Sequence, residues 1–302
     1  MRPFVSTRAR RVAAGAATRV AAALLLAAVV STPDGVAAAG SATLERIKAS
    51  AVVRFAYRDG AAPFSFRDTD GRVRGYAVEL CERVAASLRT SLGLAQLDVQ
   101  WRAVDAATRI DAVANGEVDA ECGTTTITLG RMERVDFSVP IFVDGGSVLV
   151  RADRKLGRLA DLKGRRIAVI PGTTTERALT TQLTAAGAPA TIVPVKDVAE
   201  GMAALGAGRV DGVAGDRIVL IVQRARAAKP EGLAFVGDDF SYEPYAIVVR
   251  RDDPDFRLAV NRALVGLYRS GAIDPVFQRW LGAFGAPGPL LHAMFYLQQY
   301  QD

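Results

Sequence analysis

Apolar positions recur along the chain with two different periods. Short apolar runs, such as AVVRFAYR at 51–58, predict buried β-strands. The segment 75–93 instead places apolar residues three or four positions apart, which predicts an amphipathic helix. The apolar face of this helix carries Val78, Cys81, Val84, Ala85 and Leu88.

Strand patterns and helix patterns then alternate through the rest of the chain. Further strands are predicted at 97–104, 118–123, 165–172, 191–195 and 210–216, and further helices at 108–116, 174–186 and 198–208. Such alternation is typical of α/β proteins with parallel sheets and helices on the sheet faces.

A short internal repeat indicates two similar units. NGEVDAECGT at 115–124 resembles AGRVDGVAGD at 207–216, so that Gly116 aligns with Gly208, Asp119 with Asp211 and Gly123 with Gly215. Each copy ends its strand at a polar residue, Thr124 in the first and Asp216 in the second. Ligands of open α/β sheets collect beyond the carboxyl ends of strands. Two such units predict a small-molecule cleft between them.

The amino terminus has the pattern of a secretory signal peptide, which we assign to residues 1–39. A basic leader precedes the apolar run AAALLLAAVV at 21–30, and small residues follow at 37–40. The alternative is a membrane anchor, but the run is shorter than the roughly 20 residues that span a bilayer. Because no cysteine lies near the cleavage site, no lipid anchor is expected.

The leader also accounts for most of the charge. The formal net charge is +6, and residues 1–39 carry five Arg and one Asp, so the remainder is only +2. The sequence has no basic patch interleaved with aromatic residues, and therefore nucleic-acid binding is not expected. The chain has 302 residues and is half apolar, enough for one large or two medium cores.

Cysteine and histidine are scarce. Cys81 and Cys122 can form a disulfide in an exported protein, or they can be two buried apolar residues. The single histidine, His292, excludes a histidine-based metal cluster and a Ser-His pair near the cleft. We therefore expect no metal and no cofactor. An enzyme would need a general acid or base in the cleft, and Glu121 and Asp216 are the only candidates near it. Catalysis is therefore the less favoured alternative.

The residues at the predicted strand ends suit an amino acid. The candidates are Arg58, Arg109, Thr124, Thr126, Arg131, Thr173, Thr174 and Asp216. A guanidinium binds a carboxylate through two parallel hydrogen bonds, and PGTTTERAL at 171–179 predicts a helix start that attracts an anion. An aspartate complements an ammonium group. Each residue also has a plainer interpretation, as a helix cap, a turn residue or a solvated charge.

The motifs together resemble family 3 of the periplasmic solute-binding proteins, the amino-acid-binding components of ABC importers. The resemblance covers about 44–298 and rests on APFSFRDTDGRVRGYAVEL (62–80), NGEVDAECGTTTITLGRMERVDFSVP (115–140), DLKGRRIAVIPGTTTE (161–176), and YAIVVRRDDPDFRLAVNRAL followed by GAIDPVFQRW. It implies a two-lobed α/β fold of the type II periplasmic binding proteins. The first lobe would comprise 40–143 and 245–302, and the second lobe 144–244, with a hinge of two crossovers and a ligand cleft between the lobes.

Within this family the chain is most similar to the glutamate/aspartate binders, because AYRDGAAPFSF, ECGTTT and LLHAMFYLQ follow that subgroup. The resemblance implies that Arg131, Thr126 and Thr174 hold the ligand's α-carboxylate. It also implies that Thr124 and Asp216 hold the α-ammonium, and that Arg58 and Arg109 hold the side-chain carboxylate. Two positions depart from the subgroup. It has a serine at the position of Ala106 and can have a histidine at the position of Val198.

The resulting expectation is a monomeric periplasmic protein that binds glutamate or aspartate by cleft closure and delivers it to ABC permease subunits. The alternatives are a binder of glutamine or another polar amino acid, a dehydratase-type enzyme, or a sensory domain on the same fold. The choice between glutamate and aspartate stays open.

Overall fold

Two five-stranded β-sheets form the framework of the protein in the described residues. The structure is a computed structural model that describes residues 40–237 and 239–301. The predicted signal peptide lies outside these residues. The strands are β1 (Val52–Arg58), β2 (Phe66–Arg67), β3 (Val73–Arg74), β4 (Asp98–Val104), β5 (Ala120–Glu121), β6 (Val135–Asp144), β7 (Gly146–Arg151), β8 (Arg166–Val169), β9 (Thr191–Pro194), β10 (Gly212–Asp216), β11 (Leu233–Phe235) and β12 (Glu243–Arg250). The helices are α1 (Ala42–Ser50), α2 (Tyr76–Ser91), α3 (Arg109–Ala114), α4 (Leu129–Met132), α5 (Thr174–Ala185), α6 (Val198–Gly206), α7 (Arg217–Arg226), α8 (Pro254–Arg269), α9 (Ile273–Trp280) and α10 (Pro289–Leu297).

Each sheet combines parallel and antiparallel strands. The first sheet has the order β4-β1-β5-β12-β6 and the second β11-β7-β10-β8-β9. Strands joined by helices are parallel neighbours, as predicted: β4, β1 and β5 in the first sheet, and β10, β8 and β9 in the second. β12 and β6, and likewise β7 and β11, run antiparallel to their neighbours. The alternation of strands and helices predicted the parallel strands but not these antiparallel ones, which need no helical crossover.

The chain passes directly from one sheet to the other at the end of β6. β6 ends at Asp144 in the first sheet, and β7 begins at Gly146 in the second. The chain returns to the first sheet at Glu243, where β12 begins. Residues of these two crossings therefore lie beside both sheets.

The helix α2 buries the apolar face that its sequence predicts. All five residues of that face are buried, and Cys81 forms a disulfide with Cys122, which follows β5. The bond ties α2 to the strand end that carries the threonine cluster. Burial of such a stripe stabilises a helix more than its intrinsic propensity does.

The internal repeat corresponds to a repeated hydrogen-bond pattern. The Asp119 carboxylate accepts from the main-chain N–H of Arg54 at 2.7 Å, and the Asp211 carboxylate accepts from that of Arg166 at 2.9 Å. The N–H of each aspartate donates back to the carbonyl of the same arginine at 2.7 Å. Each copy therefore docks its strand on the preceding parallel strand in the same way. The alignment of Asp119 with Asp211 is confirmed.

Candidate functional site

The candidate residues come together where the carboxyl ends of β1, β5, β8 and β10 meet between the two sheets. Arg58 ends β1, the threonine cluster follows β5, Thr174 begins α5 after β8, and Asp216 ends β10. The Oγ1 atoms of Thr126 and Thr174, which follow strands of different sheets, are 3.3 Å apart. The cleft is therefore narrow at this point.

Arg58 and Arg109 form the cationic side of the cleft. The Nη1 of Arg58 donates to Thr124 Oγ1 at 2.9 Å, and the main-chain N–H of Arg58 is held by Ser65 Oγ at 2.9 Å. Arg109 is only 2% exposed. Among the described residues, its Nε and Nη1 have no hydrogen-bond partner. Burial, and next the positive charge of Arg58, lower the pKa of Arg109 from 12.5 to about 9.

Glu121 is a buried acid close to these arginines. Its Oε2 accepts a hydrogen bond from Thr125 Oγ1 at 2.7 Å, whereas its Oε1 has no partner within the described part of the chain. Burial raises the pKa of Glu121 above its ordinary value, although the positive charge of Arg109 acts in the opposite direction. Glu121 therefore offsets only part of the arginines' charge, and the site favours an anion.

Arg131 lies on the short helix α4, directly after the threonine cluster. Its Nη1 donates to the main-chain oxygen of Thr126 at 2.6 Å, and its main-chain N–H is capped by Thr128 Oγ1 at 3.2 Å. Burial lowers the pKa of Arg131, while the nearby carboxylates of Glu121 and Glu243 raise it. The remaining guanidinium N–H groups of Arg131 give this end of the cleft a second anion-binding group.

Asp216 lies on the opposite wall, formed by the second sheet. Its Oδ1 accepts from Thr175 Oγ1 at 3.2 Å, and Thr175 is buried. Asp216, Arg58 and Val198 line one small cavity of about 20 Å³. On the usual scale this volume accommodates about one water molecule, so the two walls are closely apposed.

Glu243 connects the two walls, a contact that the sequence analysis did not anticipate. Its Oε2 accepts from Thr126 Oγ1 at 2.6 Å and from Thr174 Oγ1 at 2.7 Å. Its Oε1 accepts from Ser241 Oγ at 2.7 Å. Glu243 is 1% exposed. The two hydroxyls that the resemblance assigns to a ligand carboxylate are thus bound to a carboxylate of the protein itself.

The hydroxyl of Thr173, a residue that lines the same small cavity, caps α5. It accepts from the N–H of Glu176 at 3.1 Å and donates to the oxygen of Ile170 at 2.8 Å. A hydroxyl has a single proton, which this donation uses. The helix-cap interpretation therefore describes the side chain of Thr173, and a ligand can still approach its main chain.

Sequence reasoning missed the contacts that Glu243 and Thr175 make in the cleft. The one signal for Glu243 is its place as the acidic residue at the start of the apolar strand EPYAIVV, 243–249. The signal for Thr175 is weaker, because the neighbouring threonines in PGTTTE are indistinguishable by type. Within the described residues, no group of acidic, histidine or cysteine side chains is arranged to hold a metal. No helix among them is long and apolar enough to cross a membrane.

A larger groove borders the two crossings between the sheets and lacks the arginines of the cleft. It measures about 380 Å³ and is bordered by Phe142, Tyr242, Phe277 and Leu291 beside α10. Its largely apolar lining offers few groups for a charged ligand. The cleft, where charged and hydroxyl groups converge, is therefore the better candidate for the functional site.

Comparison with known proteins gives consistent results. Residues 53–283 match the bacterial extracellular solute-binding proteins, family 3. The chain is 34% identical to an L-glutamate/L-aspartate-binding protein of Pseudomonas aeruginosa, over 85% of each chain. It is 30% identical to a glutamate/aspartate import solute-binding protein of Escherichia coli K12, over 87% of each chain.

A solved structure shares the fold. An ancestral arginine-binding protein bound to arginine superposes with a TM-score of 0.69 and 28% identity, covering 77% of this chain and 99% of that chain. The predicted α/β fold with two lobes is thereby confirmed. The ligand of that structure is cationic, so the fold alone does not decide which side chain the cleft accepts.

Proposed function

This chain belongs to family 3 of the bacterial extracellular solute-binding proteins, and from that we infer that it captures an acidic amino acid, L-glutamate or L-aspartate, and delivers it to an ABC importer. The relatives named for glutamate and aspartate support the choice of ligand class. We further propose that residues 1–39 export the protein to the periplasm, where it acts as a monomer on the permease.

The observation that carries the proposal is the unpaired guanidinium of Arg109 beside Arg58. Two neighbouring like charges destabilise each other, and the burial of Arg109 adds to the cost. Within the described residues, Glu121 and Asp216 are the acids whose charges act on Arg109, and neither accepts a hydrogen bond from its Nε or Nη1. A ligand with a side-chain carboxylate would supply the missing negative charge. A neutral or cationic side chain would leave the arginines uncompensated.

The ligand's α-groups would occupy the other end of the cleft. Arg131 would hold the α-carboxylate with its free guanidinium N–H groups, aided by main-chain N–H groups at the start of α5. Asp216 and the hydroxyl of Thr124 would hold the α-ammonium. Ala106 and Val198 offer no hydrogen bonds, so the two arginines would bear most of the recognition of the side-chain carboxylate.

Cleft closure is the proposed mechanism of capture. A cavity of about 20 Å³ is too small to admit an amino acid, so the lobes must separate before the ligand enters. We propose that 40–143 with 245–302 moves against 144–244 about the two crossings. Contacts that the ligand makes with both lobes would then favour the closed form, which the permease would recognise.

Titration calorimetry tests the proposal. The protein is stripped of ligand by unfolding and refolding, and is then titrated with L-glutamate, L-aspartate, L-glutamine and L-arginine. Because an unpaired buried charge costs about 2–5 kcal/mol, glutamine should bind about 30-fold to about 5,000-fold more weakly than the acid. Arg58→Met should remove most of this preference. The matched control is Arg102→Met. Arg102 lies on β4 and forms an exposed ion pair with Glu117.

Two results would contradict the proposal. If glutamine or arginine binds as tightly as glutamate, the arginines do not select an acidic side chain. If Arg58→Met and Arg102→Met weaken glutamate binding equally, the effect of Arg58 is not local to the cleft.

A further inference from the structure

Glu121 is a fully buried carboxylate with one oxygen that has no hydrogen-bond partner. The residue ends β5, and its Oε2 accepts from Thr125 Oγ1 at 2.7 Å. Its Oε1 has no partner among the described residues. This oxygen lies against Gly123, where any side chain would clash with it. Glu121 therefore keeps one buried oxygen that can accept a proton.

Three arginines on three different elements act on this carboxylate. Arg109 begins α3, Arg58 ends β1 and Arg131 lies on α4. The positive charge of each arginine favours the ionised form of Glu121, and that of Arg109 does so most strongly. No described residue, and therefore none of the three arginines, donates a hydrogen bond to Oε1. The ionised form is therefore held by charge alone at this oxygen.

Other charged groups act on the same arginines. The charge of Asp216 acts on Arg109 and Arg131, and that of Glu243 acts on Arg131. Arg177 of α5 also acts on Arg131, but Arg177 is exposed, and solvent screens its charge. The buried arginines thus lie among three acids. A further anion in the cleft competes with these acids for the arginines.

Glu121 is the acid of the three that is best placed to become neutral. Both oxygens of Glu243 accept from hydroxyl groups, which stabilises its ionised form. Asp216 would face the ammonium group of the ligand. Burial raises the pKa of Glu121 above its ordinary value, against the opposing charge of Arg109. A second carboxylate beside the same arginines would raise this pKa further, because like charges disfavour ionisation.

We propose that Glu121 takes up a proton from the solvent when the cleft captures an acidic amino acid, so that ligand binding and proton binding are coupled. The proton leaves water or buffer and forms an O–H bond to Oε1. Glu121 is then a counter-ion of the arginines in the empty cleft, and the side-chain carboxylate of the ligand replaces it in the complex. This inference rests on the proposed function, because it requires that carboxylate beside Arg58 and Arg109.

The coupling determines how affinity depends on pH. If the complex holds more protons than the free protein, the affinity for the ligand falls as the pH rises between the two pKa values of Glu121. One proton per ligand corresponds to a loss of at most about tenfold in affinity per pH unit. A ligand with a neutral side chain brings no second carboxylate to the arginines and should show less coupling.

Titration calorimetry in phosphate and in Tris counts the protons, because the two buffers differ in their heats of ionisation. The refolded protein is titrated with L-glutamate at several pH values between about 5 and about 8, and we expect uptake of up to about one proton per ligand. Burial raises the pKa of Asp144 to about 8, so Asp144 also titrates in this range. The contribution of Glu121 is therefore the difference between the unmodified protein and Glu121→Gln.

Glu121→Gln keeps the shape of the side chain and removes its titration. It resembles the protonated form, so it should lose the proton uptake and bind glutamate at least as tightly as the unmodified protein does at the highest pH. The matched control is Glu117→Gln, at an exposed glutamate before β5 that pairs with Arg102, and it should keep the uptake. Thr125→Val removes a hydrogen bond that favours ionised Glu121, so it should move the pH dependence of binding to higher pH.

The outcomes separate the two proposals. If the unmodified protein binds L-glutamate without proton uptake at every pH tested, or if Glu121→Gln keeps the uptake, the inference is wrong and the proposed function stands. If Glu121→Gln does not fold, an unchanged pH dependence in Thr125→Val overturns the inference instead. If the unmodified protein binds no acidic amino acid, both proposals are wrong. Uptake that is lost in Glu121→Gln but kept in Glu117→Gln supports the inference.

Discussion

Replacing Arg109 by methionine should make the ligand-free protein more stable and its ligand binding weaker. The Arg109 side chain is fully buried at the start of α3, and two of its guanidinium nitrogens have no partner within the described residues. Methionine fills a similar volume without a charge. The substitution therefore removes a destabilising charge from the unliganded protein and removes a ligand contact from the complex.

The pKa of Arg109 sets the size of the effect. A decrease from 12.5 to about 9 corresponds to an upper limit of about 5 kcal/mol. Because folding disfavours the charged form, this cost is fully present below about pH 9 and disappears as the pH rises toward 12.5. Replacement of buried charges by apolar side chains typically stabilises by about 1–4 kcal/mol. We expect a gain within that range for Arg109→Met at neutral pH.

Urea unfolding of the ligand-stripped protein, with and without saturating glutamate, measures both effects. The free energy of unfolding should rise without ligand, and the additional stabilisation by glutamate should shrink. Arg134→Met, which breaks an exposed ion pair with Asp111 of α3, is the matched control and should change stability by less than about 0.5 kcal/mol. If Arg109→Met instead destabilises the ligand-free protein, Arg109 is a satisfied structural residue and our reasoning about the cleft is refuted.

Three other changes test separate parts of the structure. Burial, and next the charge of Asp216, raise the pKa of Asp144 at the first crossing from 3.8 to about 8. Because the folded protein keeps this proton while the unfolded chain loses it, the free energy of unfolding should fall as the pH rises from about 4 to about 8. Asp144→Asn should flatten this dependence in urea unfolding; an unchanged profile would contradict it. The double change Cys81→Ala with Cys122→Ala should lower the free energy of unfolding by about 2–4 kcal/mol. Dithiothreitol should then no longer change the stability, and the variant should still bind glutamate. Thr173→Ala should cost about 1 kcal/mol of thermal stability through loss of the helix cap. If calorimetry shows that it also abolishes glutamate binding, the hydroxyl of Thr173 has a ligand role that its hydrogen bonds do not suggest.

The sequence by itself determined most of the local structure. The apolar periods predicted α2, α5 and α6 to within a few residues, because a buried helix face needs apolar side chains three or four positions apart. The repeat predicted the equivalence of Asp119 and Asp211, since both aspartates bond to a strand that their own unit supplies. The strand at 118–123 is shorter than predicted, because only Ala120–Glu121 pair in the sheet before the chain turns into the cleft.

Only the tertiary structure decided which polar groups meet across the cleft. Thr126 and Glu243 are 117 positions apart, and no periodicity links two residues at that distance. The carboxylate reaches the threonines because β12 returns to the first sheet beside β6, a topology that packing of the whole chain fixes. Similarly, Arg109 at the start of α3 is buried in the structure, and no local sequence pattern predicts that burial. Local patterns determine which face of an element is apolar, whereas the partner of each buried polar group depends on contacts between distant segments.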